Sequence, residues 1–271
     1  MIHETAIIHP SAQIAEDAII GPYVVIGENV KIGSKTRVIS NAHIEFAEIG
    51  ERCTISPFAT IGSEPQDLGY KGEATKVVIG NDTIIKENVT IHRGAACGDF
   101  TTRIGNKCLL MVGSHIAHNC VLADEVILAN LVTLGGHVHV GFGAFVGGMS
   151  VFHQNIRIGD MSIVSGFSAS RQDILPYSKG EGRPPVPRAI NVIAMKRRGV
   201  PLDVRTHTNE AFKLLISDEY NTTQAIEKIK AEIPMNEYIE KMIDFIQTSK
   251  RGVLLKSHKH GYQSLEGGED E

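Results

Sequence analysis

Leu122-Ala123-Asp124-Glu125-Val126-Ile127-Leu128-Ala129-Asn130-Leu131-Val132-Thr133-Leu134-Gly135-Gly136-His137-Val138-His139-Val140 is the stretch that decides the fold of this 271-residue chain. Leu122, Leu128, Leu134 and Val140 recur every six residues, a period that fits neither an α-helix nor a single strand. The register runs outward in both directions. Val146, Phe152, Ile158 and Val164 continue it on one side, Ile116, Leu110 and Ile104 on the other. Beyond one irregular stretch come Ile91, Ile85 and Ile79, and beyond a second Ile61, Ile55 and Ile49. After a one-residue deletion Ile44, Val38, Ile32, Ile26, Ile20, Ile14 and Ile8 carry it to the N-terminus. A glycine often follows the anchor, as at Gly21, Gly33, Gly105 and Gly141, which predicts backbone turns in conformations that other residues find costly. Six residues then make one short strand and one turn, and three such units close a triangular coil in which residue n lies over residue n+18. The fold class is mostly β, a left-handed parallel β-helix of hexapeptide repeats followed by a small α-helical C-terminal domain.

Composition agrees with a solenoid. Hydrophobic residues make up 42% of the chain but aromatics only 6%, and there is no Trp. A narrow interior takes stacked Ile, Val and Leu rather than large rings. The net charge of −4 offers no basic face for nucleic acid. No apolar run follows Met1 and none reaches the roughly 18 residues of a membrane span, so neither a signal peptide nor membrane insertion is expected and the localisation reads as cytoplasmic. Cys53, Cys97, Cys108 and Cys120 show no CxxC spacing and are each expected to be reduced, buried and structural.

Two segments break the hexads. In 63–78 the expected anchors fall on Asp67 and Glu73, and in 92–103 the anchor spacing rises from Ile91 to Ile104. Excursions from a regular wall are where a solenoid keeps its binding chemistry. Residues 1–187 are therefore read as β-helix, ending in a run with Pro176, Gly180, Gly182, Pro184, Pro185 and Pro187 that predicts a linker tolerating neither helix nor strand. Helical stripes follow over 188–256: Phe212, Leu215 and Ile216; Ile226, Ile229 and Ile233; Ile239, Met242, Ile243 and Ile246. Asn221 and Gln224 have capping-box spacing, and Pro201 suits a first helical turn. Residues 257–271 read as a solvated, disordered tail. Flat aliphatic faces predict a homotrimer.

His115, His118, His137, His139 and His153 cluster in sequence, and none is an anchor. His118 and His137 are one coil plus one residue apart, on neighbouring rungs of one edge, with His153 roughly a coil further. A row of imidazoles has no packing rationale, because each ring has two nitrogens that need partners. Imidazole takes a proton from a hydroxyl near neutral pH, and the oxyanion that then develops needs a donor. Gly135-Gly136 offers backbone N–H groups one rung from His118. Asp67 sits mid-excursion, as a binding group or an Asx turn. Lys196-Arg197-Arg198-Gly199 forms either a bidentate phosphate clamp or a solvated basic face.

With Pro65-Gln66-Asp67-Leu68, Thr90-Ile91-His92-Arg93-Gly94, His115-Ile116-Ala117-His118, Gly136-His137-Val138, His153-Gln154 and Met195-Lys196-Arg197-Arg198-Gly199, the chain resembles the UDP-N-acetylglucosamine O-acyltransferases that open lipid A biosynthesis. The resemblance covers residues 1 to about 255. It implies transfer of a 3-hydroxyacyl chain from an acyl carrier protein thioester to the glucosamine 3-hydroxyl, at a site between subunits, with no metal and no other cofactor. It implies His118 as general base and the Gly136 N–H as oxyanion donor. Gln66, Asp67, His115, His137 and Gln154 would contact sugar or acyl chain, and His153 the nucleotide-sugar. Asn191, Arg197 and Arg198 would contact the nucleotide or its phosphates, and Gly166 would set acyl length. Gly69, Asn119, Asn155 and Ile193 depart from the family's usual residues. The competing readings are the same reaction on a 3-amino sugar analogue, another hexapeptide acyltransferase, a zinc carbonic anhydrase using His115, His118 and His137, and an inert trimeric scaffold.

Overall fold

A computed structural model describes residues 1–256; the expected tail at 257–271 lies outside the described residues. Up to a final hairpin, successive two- to four-residue strands fall in rotation onto three parallel sheets. Face 1 is nine-stranded and runs from Ile7–Ile8 to Ala169–Ser170; faces 2 and 3 are ten-stranded and start at Gln13–Ile14 and Ile19–Ile20. Ile7 pairs with Val25 and Ile8 with Ile26, the n+18 register the hexads predict. Thr60 pairs with Thr90 and Thr90 with His115, so the coil resumes its phase after each excursion. The anchors Ile20, Ile44, Ile61, Ile91, Ile116 and Leu134 are at most 1% exposed and stack in one continuous core.

One glycine expectation is corrected. The left-handed backbone falls on the third residue after the anchor, and there it is mostly not glycine: Tyr23, Asn29, Lys35, Asn119, Glu125 and His137 all have φ between 54° and 61°. The glycine directly after the anchor serves close approach instead. A Cβ at Gly21 would lie 1.6 Å from the Ile39 carbonyl oxygen of the next coil.

That third position also gives each edge of the prism its own character. Edge 3/1 carries Tyr23, Phe58, Leu131, Met149 and Phe167, which are 47–64% exposed. Edge 2/3 carries Lys35, Arg52, Asp82, Lys107 and Glu125, and edge 1/2 carries Asn29, Asn119, His137 and Asn155.

The Pro/Gly-rich run is not a linker. It forms an antiparallel hairpin, Ser178–Glu181 with Val186–Ile190, that completes face 3. Pro187 is tolerated because its strand is the outermost one, where an N–H is not needed by a further neighbour. The helical region comprises α1 (Val192–Arg197), α2 (Leu202–Ile216), α3 (Thr222–Glu232) and α4 (Glu237–Gln247). Asn221 and Gln224 form the capping box at α3; Pro201 is the N-cap residue of α2 rather than a residue of its first turn. Phe212, Leu215, Ile229, Ile239 and Met242 pack with Leu175, Tyr177 and Ile190 of the last coil into a second core. The chain then returns to the β-helix, Val253–Leu254 pairing with Asp173–Ile174. Among the described residues no helix is long and apolar enough to cross a membrane.

Candidate active site

Both excursions leave the prism from edge 1/2. The first spans 64–75, between Thr60–Ser63 and Lys76–Ile79, and the second spans 93–100, between Thr90–His92 and Thr101–Ile104. Each is shorter than the sequence suggests because the strands extend into it. Arg93, 5% exposed, holds them together: its guanidinium donates to Gly62 O (2.8 Å), the Tyr70 hydroxyl and Glu64, and lies 4.5 Å from the Phe46 ring.

The second excursion folds over His118. Asn119 Oδ1 accepts from Ala95 N (2.9 Å) while its Nδ2 donates to Ala95 O (3.1 Å). The backbone thereby fixes which end of the amide is oxygen. That oxygen lies 2.9 Å from His118 Nδ1, so Nδ1 must carry the proton and Nε2 presents a lone pair.

Nε2 faces Gly136. A Cβ on Gly136 would be 2.7 Å from His118 Nε2 and Cε1, so only glycine lets the imidazole come this close. Among the described residues the Gly136 N–H donates to no protein group. The N–H at this hexad position points outward: at Asn106 and Phe142 it donates to the carboxylates of Asp124 (2.7 Å) and Asp160 (3.0 Å), while at Asp124, Asn130, Gly148 and Gln154, as at Gly136, it meets no protein acceptor among the described residues. What sets Gly136 apart is that its outward N–H stands beside an imidazole.

His137 packs edge-to-face on His118, with centroids 5.3 Å apart. Burial and the neighbouring His118 hold its pKa below the ordinary value. Asp67 accepts from Gly69 N through Oδ1 (2.8 Å), the Asx turn the sequence allowed. That bond keeps its carboxyl below the usual range, and Oδ2 lies 3.6 Å from Cys97 Sγ. Gln66 is exposed on the same loop. His115 stands apart: its Nδ1 is 2.7 Å from Thr90 Oγ1 and its ring meets His92 at 4.9 Å. His153 and Gln154 occupy edge 1/2 a coil further, where Arg251 reaches both, at 3.4 Å from His153 Nδ1 and 3.1 Å from Gln154 O.

The remaining expected residues lie on other edges. Arg198 is on edge 2/3, paired with Glu125 (2.8 Å) and stacked 4.2 Å from the Phe142 ring; Arg197 is exposed beside it. Asn191, expected at the nucleotide, is 5% exposed with both amide groups occupied, Oδ1 capping α1 through Ala194 N and Nδ2 donating to Met161 O. Gly166 is on edge 3/1, its missing Cβ touching only Gly148. One chain does not bring the three groups together.

Cys97 is a further correction. Cys53, Cys108 and Cys120 are buried as expected, but Cys97 is exposed, because it lies in an excursion rather than at an inward hexad position. Its Sγ is 3.3 Å from His137 Nε2 and 3.6 Å from Asp67 Oδ2. Sequence reasoning also missed Arg251 and the scaffolding by Arg93 and Asn119. Arg93 and Asn119 stand at positions the sequence had singled out and Cys97 among the extra residues of the second excursion, but nothing in the sequence signalled Arg251.

Fold and site define a hexapeptide-repeat β-helix acyltransferase. The chain is 45% identical over 257 residues to the acyl-[acyl-carrier-protein]–UDP-N-acetylglucosamine O-acyltransferase of Thermodesulfovibrio yellowstonii, covering 93% of this chain and 98% of the relative. It belongs to the acyl-[acyl-carrier-protein]–UDP-N-acetylglucosamine O-acyltransferase family and is an enzyme. The solved UDP-N-acetylglucosamine O-acyltransferase of Moraxella catarrhalis matches with TM-score 0.89 at 41% identity, over 93% of this chain and 99% of that one. The Francisella novicida UDP-N-acetylglucosamine acyltransferase gives 0.90 at 35%, over 96% and 95%. A family model described as UDP N-acetylglucosamine O-acyltransferase, domain 2, matches residues 173–254, and one for the GMPPB C-terminal domain matches the hexad-bearing residues 2–69. The family leaves no place for the carbonic anhydrase or scaffold readings.

Proposed function

We propose that this chain transfers a 3-hydroxyacyl group from an acyl carrier protein thioester to the 3-hydroxyl of UDP-N-acetylglucosamine, the first step of lipid A biosynthesis. His118 Nε2 takes the hydroxyl proton as that oxygen attacks the thioester carbon. The Gly136 N–H receives the resulting oxyanion. The carbon–sulfur bond then breaks, and the proton held by His118 passes to the departing thiolate. The reaction uses no cofactor beyond the thioester itself. The observation that carries this reading is the free Gly136 N–H directly against an imidazole whose other nitrogen is pinned by Asn119.

The working enzyme is a homotrimer in this reading. The apolar ridge of edge 3/1 is a surface that a second and third copy would cover. Placing that edge on a three-fold axis sets face 1 of one copy against face 3 of the next and opens a cleft between them. Edge 1/2, with Asp67, His118, Gly136 and His137, then lies across from the partner subunit's Arg197 and the partner subunit's Arg198, which suit the pyrophosphate. Gly166 falls at the inner end of the cleft, between two and three coils along the axis from His118, roughly 13 Å at a coil rise near 4.8 Å. A side chain-free position there suits the end of an acyl chain.

The test is to incubate the protein with acyl carrier protein thioesters of mixed length and a set of UDP-amino sugars, then weigh the products. An ester of UDP-N-acetylglucosamine is expected, and His118→Ala is expected to cut turnover by roughly 10²-fold or more while the trimer stays intact. An amide product would move the acceptor to the 3-amino sugar. Unchanged turnover in the variant would remove His118 from the chemistry.

A further inference from the structure

We infer that the active-site edge holds an inhibitory site for a borderline-soft divalent cation, zinc foremost, built from Cys97 Sγ, His118, His137 Nε2 and Asp67 Oδ2. The ligand atoms of Cys97, His118 and His137 all lie within 4.8 Å of one another. In a tetrahedral zinc site with Zn–S near 2.3 Å and Zn–N near 2.0–2.1 Å, sulfur and nitrogen ligands sit roughly 3.5 Å apart. Cys97 Sγ is already 3.3 Å from His137 Nε2 and 3.6 Å from Asp67 Oδ2. Two edges of the tetrahedron are therefore present without any movement. Closing those three ligands from at most 4.8 Å to the roughly 3.3–3.5 Å of such a site needs no more than about 1.5 Å of side-chain adjustment, and Asp67, which stands outside that group of three, swings in as the fourth ligand.

The outer shell is in place as well. Metal-ligating histidines and carboxylates are oriented by hydrogen bonds through their other atoms. Here His118 Nδ1 is held by Asn119 Oδ1 at 2.9 Å, leaving Nε2 as the ligand, and Asp67 Oδ1 is held by Gly69 N at 2.8 Å, leaving Oδ2 free. A thiolate and a carboxylate would balance the charge of a divalent ion. Binding releases the thiol proton to solvent and forms the metal–sulfur bond, with no change in oxidation state. The donor set of one sulfur, two imidazoles and one carboxylate selects zinc or cobalt over magnesium or calcium.

The inhibitory consequence rests on the reading of His118 as general base: a metal on Nε2 occupies the lone pair that accepts the proton. Binding itself does not depend on that reading, so the two are measured separately. The full-length protein, stripped with chelator, is titrated with Co²⁺ alone and followed by its visible ligand-field bands and thiolate-to-metal charge-transfer band, then by displacement with Zn²⁺. One ion per chain, tetrahedral band intensity and a charge-transfer band that vanishes in Cys97→Ser are expected. The serine variant should lose more affinity than the roughly 10–100-fold that removal of an outer-shell partner costs. In the transferase assay, stoichiometric Zn²⁺ should inhibit the unchanged enzyme reversibly with chelator and leave Cys97→Ser largely active.

No charge-transfer band, or equal affinity in Cys97→Ser, overturns the site. Equal zinc inhibition of both proteins overturns its role in inhibition. Cobalt bound through Cys97 in a protein with no transferase activity would sink the functional reading and leave the metal site standing.

Discussion

Replacing Gly136 by alanine isolates the contact on which the proposed mechanism rests. The added Cβ would stand 2.7 Å from His118 Nε2 and Cε1, whereas ordinary carbon contacts begin near 3.5 Å. The ring or the turn must therefore give by roughly 0.8 Å. Gly136 does not have a left-handed φ, so alanine fits its backbone and would restrict the unfolded chain, an effect worth about +0.4–1 kcal/mol of stability. Misplacement of a catalytic group by about 1 Å can cost 10²-fold. A loss between about 10- and 100-fold follows, or roughly 1.4–2.7 kcal/mol. It should appear in kcat and kcat/KM together, because the displaced pair acts in the transition state. Initial rates of acylated nucleotide-sugar formation, followed by mass spectrometry beside a thermal melt, make the measurement. A variant as stable as the parent but slower fits. A variant with the parent's kcat/KM would refute the placement of His118 against this amide.

The remaining expectations concern length, pH and the join between domains. Gly166→Met should shift preference toward shorter acyl chains by filling the space over Gly148; a chain-length profile identical to the parent's would place the ruler elsewhere. His92 is 9% exposed, its Nδ1 has no partner among the described residues, and burial followed by His115 pushes its pKa down to about 4. The unfolded chain then binds a proton that the folded one refuses, so stability should fall as pH drops from about 6.5 to about 4, by on the order of 3 kcal/mol from this group. Urea unfolding at both ends of that window should show a smaller drop in His92→Gln, and an unchanged pH dependence would mean the burial is not felt. Asp173, 1% exposed, accepts from Arg157 Nε (2.9 Å) and Ser249 Oγ (2.8 Å), while Arg157 also donates to Phe245 O. Asp173→Ala should cost roughly 2–4 kcal/mol, less than for a fully buried pair because Arg157 keeps some solvent. It should also speed amide exchange at Val253 and Leu254, and protection equal to the parent's would show that the cap is held by its apolar core alone.

The coil was legible because its period is set by geometry that every residue obeys. An anchor that turns polar, as at Asp67, can only mean that the chain has left the wall. The edges were legible too, had the third residue after each anchor been read modulo three: Tyr23, Phe58, Leu131, Met149 and Phe167 fall on one edge and His137 with Asn119 on another. What periodicity cannot give is the path of an excursion. Cys97 reads as one more small hydrophobe until the fold of 93–100 turns it toward His137. The hairpin at Ser178–Ile190 was hidden for a different reason, since proline and glycine signal a break unless the strand is known to be outermost. The edges also separate what sequence alone lumps together. Arg197 and Arg198 join the histidines by motif, yet they sit on edge 2/3, and only a second copy could bring the two sets into one site.

Asn119 fills a role that a carboxylate at the same place could not. An aspartate after His118 could accept from Ala95 N and from His118 Nδ1, but it could not donate to Ala95 O, which lies 3.1 Å from Asn119 Nδ2. With an ionised carboxylate, two oxygens would face each other there, and the second excursion would lose one of the bonds that hold it over the site. The amide gives up the charge that would stabilise an imidazolium and gains a loop locked to the His118 ring. Its left-handed backbone, φ 57°, is one that asparagine adopts more readily than most residues. The same amide thus fixes the corner of the coil, the tautomer of His118 and the position of 93–100. Those three depend on one side chain, so a substitution at Asn119 should disturb the His118 ring and the loop above it together.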